Sequence, residues 1–559
     1  MNQIRAGIFS SHLEVIRPFG ICSPTNRNVI ALPKFESGEG QMKRERILTS
    51  GCYFACLTFF LLRAPAAAHA ATYYIDFASG ADTNAGTSKS APWKRAPGMT
   101  GFAGSYSHSA GDQFIFKGGV TWDSTIFNWT ISNSGSSGNI DYYGVDKTWY
   151  SGGSWTQPIL DGGGILGDAG ANHIFITGSY VTVDNLKIQN IGQAYYYNGD
   201  RVFTIVNNHD IRITNCTIAP NVRIGIYAYN STAGQTYSNF TFDHNDISAV
   251  SWGMGIATTA TGAVMSNVNI YNNTIHDFTT QMCGGVHGDG IITYNTGIGK
   301  GTISPVNIYN NVWYGDFHVD STKDSCVNND TPPSVKCDAT YPCGMNAWVY
   351  AQNGENSTYY IYNNVVRPTD VRGYPSDTMT ANFNLMGDSG YSNTYYVYNN
   401  SFLTDSYVAH GLQLTNVSST VYENNVMVGT QFPLLPTDLT SCNGLSADYN
   451  DYYGFTSGTV AAFPAGCGGF QNWNTYHVTN GKEPHSLNAN PLFVSSTNLN
   501  LQSGAPAINA ATNLYSVFTT DAAGNPRPAS GAWDMGAYEY QATGPRPNPP
   551  TNLRVTGVN

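Results

Sequence analysis

Apolar and polar residues alternate in eight short phrases that close on asparagine: VTVDNLKI (181–188), IRITNCTI (211–218), FTFDHNDI (240–247), VNIYNNTI (268–275), VNIYNNVW (306–313), YIYNNVV (360–366), YVYNNSF (396–402) and VYENNVM (421–427). Counted at Asn185, Asn215, Asn245, Asn273, Asn311, Asn364, Asn400 and Asn425, they recur every 25 to 53 residues, and Asn450 adds a ninth turn. A period of two predicts short strands with one face buried. Asparagine tolerates the left-handed backbone that a sharp bend between strands requires. Recurrence at this spacing predicts one solenoid coil per phrase. Coils stacked about 4.8 Å apart would bring the amides into one hydrogen-bonded column. These asparagines are therefore read as a structural ladder and not as ligand-binding residues.

Between the asparagine turns lies a second strand phrase: RIGIYAY (223–229), GMGIATT (253–259), GDGIITY (288–294), MNAWVYA (345–351) and AHGLQLT (409–415). TANFNLM (380–386) fits between the last two. Aligned on Gly225, Gly255, Gly290, Ala347 and Gly411, these phrases place Arg223 two coils before Asp289. Asn346 then falls one coil after it and His410 three coils after. Ile291, Trp348 and Leu412 are expected to face the interior. A regular strand would then turn Asp289 inward as well, where an unpaired carboxylate is costly. Gly288 and Gly290 are expected to permit a bend that turns it out. The long interval between Asn311 and Asn364 predicts an insertion at 315–344, of the kind that forms binding loops. It carries Asp316, His318, Asp320 and Lys323.

Val-Asn-Ile-Tyr-Asn-Asn resembles the turn phrase of right-handed parallel β-helix proteins, the pectate-lyase-like superfamily. The resemblance covers about residues 72–500 and implies an all-β, right-handed parallel β-helix with Asn-ladder turns. TYYIDFASGADTNAGTSKSAPWK (72–94) is similar to the opening of secreted bacterial β-helix proteins. Residues 501–540 resemble a closing segment found after such helices in surface-associated bacterial proteins. The expected organisation is a leader (1–70), a cap with the first coils (71–180), the core coils (181–500), the closing segment (501–543) and a Pro-rich tail (544–559). In the superfamily the second strand and its flanking loops floor the substrate groove. That implies a place for His287 and Asp289 on this strand or in the turn leading into it. The superfamily spans lyases, hydrolases, epimerases, esterases and non-catalytic adhesins, so the fold does not fix an activity.

Composition narrows the class. Charged residues are only 11% of the chain, against 13% aromatics and 59 glycines, which suits an all-β protein and excludes disorder. Lys43, Arg44 and Arg46 precede the apolar run Ile47–Leu62 and a small-x-small site at Ala68-His69-Ala70. This is the pattern of a secretory signal, with cleavage expected before Ala71. The run is shorter than the roughly 20 residues of a membrane span. The protein is expected to be secreted, to the cell surface, the extracellular space or the periplasm, and to act as a monomer with no membrane span. The leader holds eight of the 26 Lys/Arg and four of the 37 Asp/Glu, leaving 18 basic and 33 acidic residues, a net charge near −15. Nucleic acid is excluded as a partner by the lack of a basic footprint. Seven cysteines remain: Cys216, Cys283, Cys326, Cys337, Cys343, Cys442 and Cys467. Disulfides are the default in an exported chain. The odd count leaves one thiol free, and Cys216, inside a strand pattern, is expected to be buried and unpaired.

The expected partner is a polysaccharide, and two enzyme chemistries fit. His-Gly-Asp-Gly-Ile is similar to the Asn-Thr-Asp-Gly-Ile phrase of polygalacturonase-like hydrolases, which implies that Asp289 is a catalytic carboxylate. A hydrolase needs a second acid, available from Asp316, Asp320 or Asp388. A lyase needs a base and a cation to neutralise a uronate. His287, Lys323 or Arg223 would be the base, with Asp289, Asp316 and Asp320 holding Ca²⁺ as the cofactor of that reading. His318 and His410 complete the candidate catalytic set, with Arg223 and Asn346 as substrate-binding residues. The other reading is a non-catalytic β-helix that acts as a surface adhesin or carbohydrate-binding protein.

Overall fold

The structure, a computed structural model, describes residues 70–164, 172–191, 201–220, 222–278, 288–295, 300–315, 325–326, 335–336, 344–368, 378–388, 390–404 and 408–541. Its strands build three long parallel sheets that the chain visits in turn. One coil runs through Val181–Asp184 in the first sheet, Lys187–Gln189 in the second and Arg201–Val206 in the third. Ile211–Thr214 then returns to the first sheet. Each strand pairs with its counterpart one coil on: Ile211 with Phe240, Thr217 with Asp246, Ile226 with Met254. This is the expected right-handed parallel β-helix.

Alternate strand positions fill one continuous interior. Ile213, Phe242, Ile270, Ile308, Ile361 and Val397 stack coil upon coil with no exposed surface. Each such burial contributes about 1.5–3 kcal/mol, which is why the alternation is kept through every coil. Among the described residues no helix is long and apolar enough to cross a membrane.

The corner between the first and second sheets is a two-residue turn with divided labour. Its first residue takes the left-handed backbone, as at Asn272, Asn310 and Asn363, each with φ 55°. Its second residue turns inward and forms the ladder. Side-chain amides donate from rung to rung along Asn245, Asn273, Asn311, Asn364, Asn400, Asn425 and Asn450, at 2.9–3.1 Å. Asn185 and Asn215, expected as rungs, are not rungs. The register sets Asp184 beside Thr214 and Thr214 beside Asp243, so both asparagines align with His244 in the left-handed position. The physical reason is that both turn positions favour asparagine, so a phrase holding only one does not show which it fills. Leu186 and Cys216 take the rung position there, both buried. The Cys216 N–H donates to Asn245 Oδ1 at 3.0 Å and starts the ladder. Its thiol is free, and burial pushes it up to about 12.

The other corners differ. Second-sheet strands pass to the third sheet almost directly at Val250 to Trp252, but with the long insertion between Tyr314 and Gly344. Of that insertion, the described parts are the antiparallel pair Ser325–Cys326 and Val335–Lys336. At the C-terminal end, Asn450 closes the ladder by donating to Ser486 Oγ (2.8 Å) and to Glu483 (3.1 Å). Cys442 and Cys467 form a disulfide nearby. Residues 498–541 then run back over the outer side of the first and second sheets. Asn363, Asn399 and Asn424, the left-handed residues of three turns, donate to the carbonyls of Thr520, Asp534 and Thr512. The buried Arg527 fixes this strap through Glu539 (2.7 Å) and Asn363 (3.0 Å).

Candidate functional site

Asp289 is the second residue of Gly288–Asn295 in the third sheet, where Trp252 pairs with it on one side and Ala347 on the other. Followed along the sheet, the register gives Ile224, Trp252, Asp289, Ala347, Ala381, His410 and Phe432 as one row parallel to the helix axis. The next position holds Gly225, Gly253, Gly290 and Gly411. A Cβ at Gly253 would meet Ile275 at 2.8 Å, and one at Gly290 would meet the Trp313 ring nitrogen at 3.0 Å. Ile275 and Trp313 are core side chains, so the glycine position faces inward. The position after it, with Ile226, Met254, Ile291 and Leu412, is also in the core. Two successive inward residues shift the alternation by one, and the residue before the glycine faces out. Asp289 therefore points away from the apolar interior, although it is fully buried where it lies. Its row neighbours Trp252 and Ala347 belong to small clusters apart from the core.

This register corrects the sequence alignment. The counterparts of Gly290 are Gly253 and Trp348 and not Gly255 and Ala347, so Trp252 takes the row position given to Met254, and Ala347 the one given to Asn346. A usable signal was present: in four of the coils the inward glycine is followed by a large core residue, as in Gly253-Met254 and Gly290-Ile291. The coil counts are unaffected, with Arg223 two coils before Asp289, Asn346 one after and His410 three after.

The candidate residues differ in surroundings. Asp289 is fully buried, and its charge adds to burial in pushing the Tyr350 hydroxyl up to about 12. Arg223 is buried just before Ile224–Asn230, and its carbonyl accepts the N–H groups of Ser251 and Trp252. Asn346 is half-buried and accepts from Asn384 Nδ2 at 3.0 Å. His410 is half-buried beside Phe432, ring centroids 5.8 Å apart, and its Nδ1 has no hydrogen-bond partner among the described residues. Burial pushes its imidazole down to about 4. At the coil spacing, His410 is roughly 14 Å from Asp289 along the row. Asp388 bonds to Asn295, at the far end of the same strand from Asp289. Six residues of strand put it roughly 20 Å away, beyond the about 5–9.5 Å of a catalytic carboxylate pair. His287, Asp316, His318, Asp320 and Lys323 lie outside the described residues, so of the proposed Ca²⁺ ligands only Asp289 is described. Among the described residues no group of three or more His, Cys, Asp or Glu could hold a metal.

Aromatic residues on this face escaped the sequence reading, hidden among 37 tyrosines. The Tyr227 and Tyr294 hydroxyls are hydrogen-bonded to each other, Trp252 meets Tyr294 edge-on at 6.2 Å, and Arg201 lies 4.3 Å over Tyr227. From Ile224–Asn230 to Phe432–Pro436, the strands of the third sheet carry one charged residue, Asp289, and one histidine, His410. Among the described residues, these strands make an amide- and aromatic-rich face around a single carboxylate.

Several solved structures are similar to this chain. One is the GH136 lacto-N-biosidase from Eubacterium ramulus, at 14% identity over 70% of this chain and 65% of that one, TM-score 0.43. The chain thus spans about two thirds of that enzyme's length. Another is pectate lyase Pel9A, at 12% identity over 85% of this chain and 98% of that one, TM-score 0.42. PfbA, a surface adhesin of Streptococcus pneumoniae, is similar at 12% identity over 65% and 87%, TM-score 0.33. Likeness at this level concerns the fold alone. No protein-family model and no curated protein matches the chain.

Proposed function

We propose that this protein is a carbohydrate-active β-helix protein that binds an extended glycan along the row from Trp252 to Phe432 and cleaves it at Asp289. The observation that carries this is the outward placement of Asp289 as the one charged residue on seven successive strands. Aromatic rings such as Trp252 suit stacking on the apolar faces of sugar rings, and Asn346 and Asn384 supply donors and acceptors for hydroxyls. Lys and Arg are absent from those strands, and the described arginines of this face, Arg201 and Arg223, both lie before Trp252, which disfavours a uronate polymer, whose carboxylates need cationic partners along the row. An uncharged polysaccharide and glycosidic hydrolysis are therefore favoured over a lyase reaction, with Asp289 as one carboxylate of the pair. Asp316 and Asp320 of the insertion are the proposed sources of the second. Asp289 is fully buried, so cleavage requires the residues covering it to move when glycan binds.

The test is a panel of neutral and uronate polysaccharides, with and without Ca²⁺, read by new reducing ends and by near-ultraviolet absorbance. New reducing ends from a neutral glycan, without new absorbance, are expected. Asp289→Asn should lower that rate at least about 10³-fold with the circular dichroism unchanged. Ultraviolet-absorbing products from a uronate polymer would replace the hydrolase reading with the lyase. Binding without cleavage, retained in Asp289→Asn, would leave only the adhesin reading standing.

A further inference from the structure

The first strand, Thr72–Ile75, begins one residue after Ala71, the residue at which the sequence places the mature N-terminus. The Ala71 nitrogen donates to Asp112 Oδ1 at 2.8 Å, while the Ala71 carbonyl accepts from Gln113 N–H at 2.8 Å. Asp112 is only 1% exposed, and its other oxygen accepts from the Tyr106 hydroxyl (2.8 Å) and the Ser109 N–H (3.0 Å). A second buried carboxylate, Asp141, lies close enough for the Asp112 charge to act on it. Burial first, and then that neighbour, pushes Asp141 above the usual range. Among the described residues, the one ion-pair partner of these two carboxylates is His108, on Asp141 at 2.8 Å. Asp112 thus has no ion-pair partner of its own among the described residues, and the partner of Asp141 is a histidine. Ala70 itself is exposed.

We propose that Asp112 is a receptor for the processed N-terminus: cleavage between Ala70 and Ala71 creates an α-ammonium group at Ala71 that pairs with the Asp112 carboxylate and locks the first strand onto the helix. A separate leader endopeptidase adds water across the Ala70–Ala71 amide. The C–N bond breaks, Ala70 leaves as a carboxylate, and the Ala71 amine takes up a proton. One amide donor already aimed at Asp112 becomes a cation at the same place, and Asp112 gains an ion-pair partner. A hydrogen bond to a buried carboxylate is stronger when its donor is charged. The inference rests on the leader reading of residues 1–70 and not on the glycan reading.

The α-amino group would face Asp112, with Asp141, His108, Tyr106, Tyr73 and Tyr143 as the other titratable groups around it. Pairing raises its folded-state value above the roughly 8 of a free N-terminus. The stabilisation is then fully present below about pH 8 and is lost as pH rises through the raised value.

Exported protein, recovered from an expressing bacterium, is examined by intact mass and N-terminal sequencing. A start at Ala71 is expected, and any other start overturns the proposal. A chain beginning at Ala71 is then compared with one carrying Gly-Ser before it. At pH 7 the extended chain should unfold at a temperature lower by about 2 °C or more. That gap should close above the raised α-amino value, and it should be absent in an Asp112→Asn background. If Asp112→Asn does not fold, the pH dependence of the gap alone decides. Equal unfolding temperatures at pH 7 overturn the pairing, even if processing occurs at Ala71.

Discussion

A methyl group at Gly290 would sit 2.5 Å from the Trp348 carbonyl oxygen and 3.0 Å from the Trp313 indole nitrogen. Real Cβ atoms do not approach backbone so closely, so Gly290→Ala must displace the strand beneath Asp289. It is expected to cost about 1–3 kcal/mol and to lower glycan cleavage with it. Gly153→Ala, whose Cβ would meet open space, is the matched control and should leave the thermal midpoint unchanged. Equal midpoints for both variants would remove the steric account of how Asp289 is turned outward. At this scale the sequence showed that glycine was needed, but not why. The reason is the bulk of Trp313, which arrives from the second-sheet strand of the next coil.

The asparagine ladder works because every amide valence is used. Asn311 Oδ1 accepts from both the backbone and side chain of Asn273, and its Nδ2 donates to Asn364 Oδ1 and to the Ile270 carbonyl. Asn311→Ala would strand these buried partners at about 1–3 kcal/mol each, for an expected total of about 3–5 kcal/mol. Asn310, its neighbour, serves by its left-handed backbone at φ 55°. Glycine adopts that conformation freely, so Asn310→Gly should change stability by less than about 1 kcal/mol. Chemical denaturation of the two variants side by side checks the difference. A comparable loss in both would mean that the two turn positions share one role. Eight phrases announced this element in the sequence, but a lone asparagine at 185 or 215 did not reveal which position it filled.

Across the whole molecule, the coil stack places several acids where water cannot reach. Asp451 is fully buried near the end of the ladder; one oxygen accepts from the Ala489 N–H and the other has no partner among the described residues. Burial pushes it up to about 7. An acid whose folded value is raised holds its proton more tightly in the native chain than in the unfolded one, where its value is about 3.9. Stability contributed by this group therefore falls as pH rises from about 4 through about 7. Asp451→Asn should remove that dependence, so the midpoint of the native protein relative to the variant should drop between pH 5 and pH 8. A pH-independent difference would mean that Asp451 is ionised throughout. His410, pushed down to about 4, acts in the opposite sense, losing stability as pH falls from about 6.5. Comparison with the Asn variant isolates Asp451 from it.

The sequence by itself determined the fold, because alternation and recurring Asn turns are local properties that each coil states again. It also showed that Asp289 stands out, as an acid between glycines in a strand of low charge. It did not determine the row on which Asp289 sits. Gly253 and Gly255 fit the same pattern, and a slip of two residues preserves the alternation that would expose it. Only tertiary structure decided that Trp252, Ala347 and His410 share that row, since register between coils is set by side chains packing across the interior. The meeting of Ala71 with Asp112 was equally out of reach, because contacts between residues 41 positions apart depend on where the coils stack.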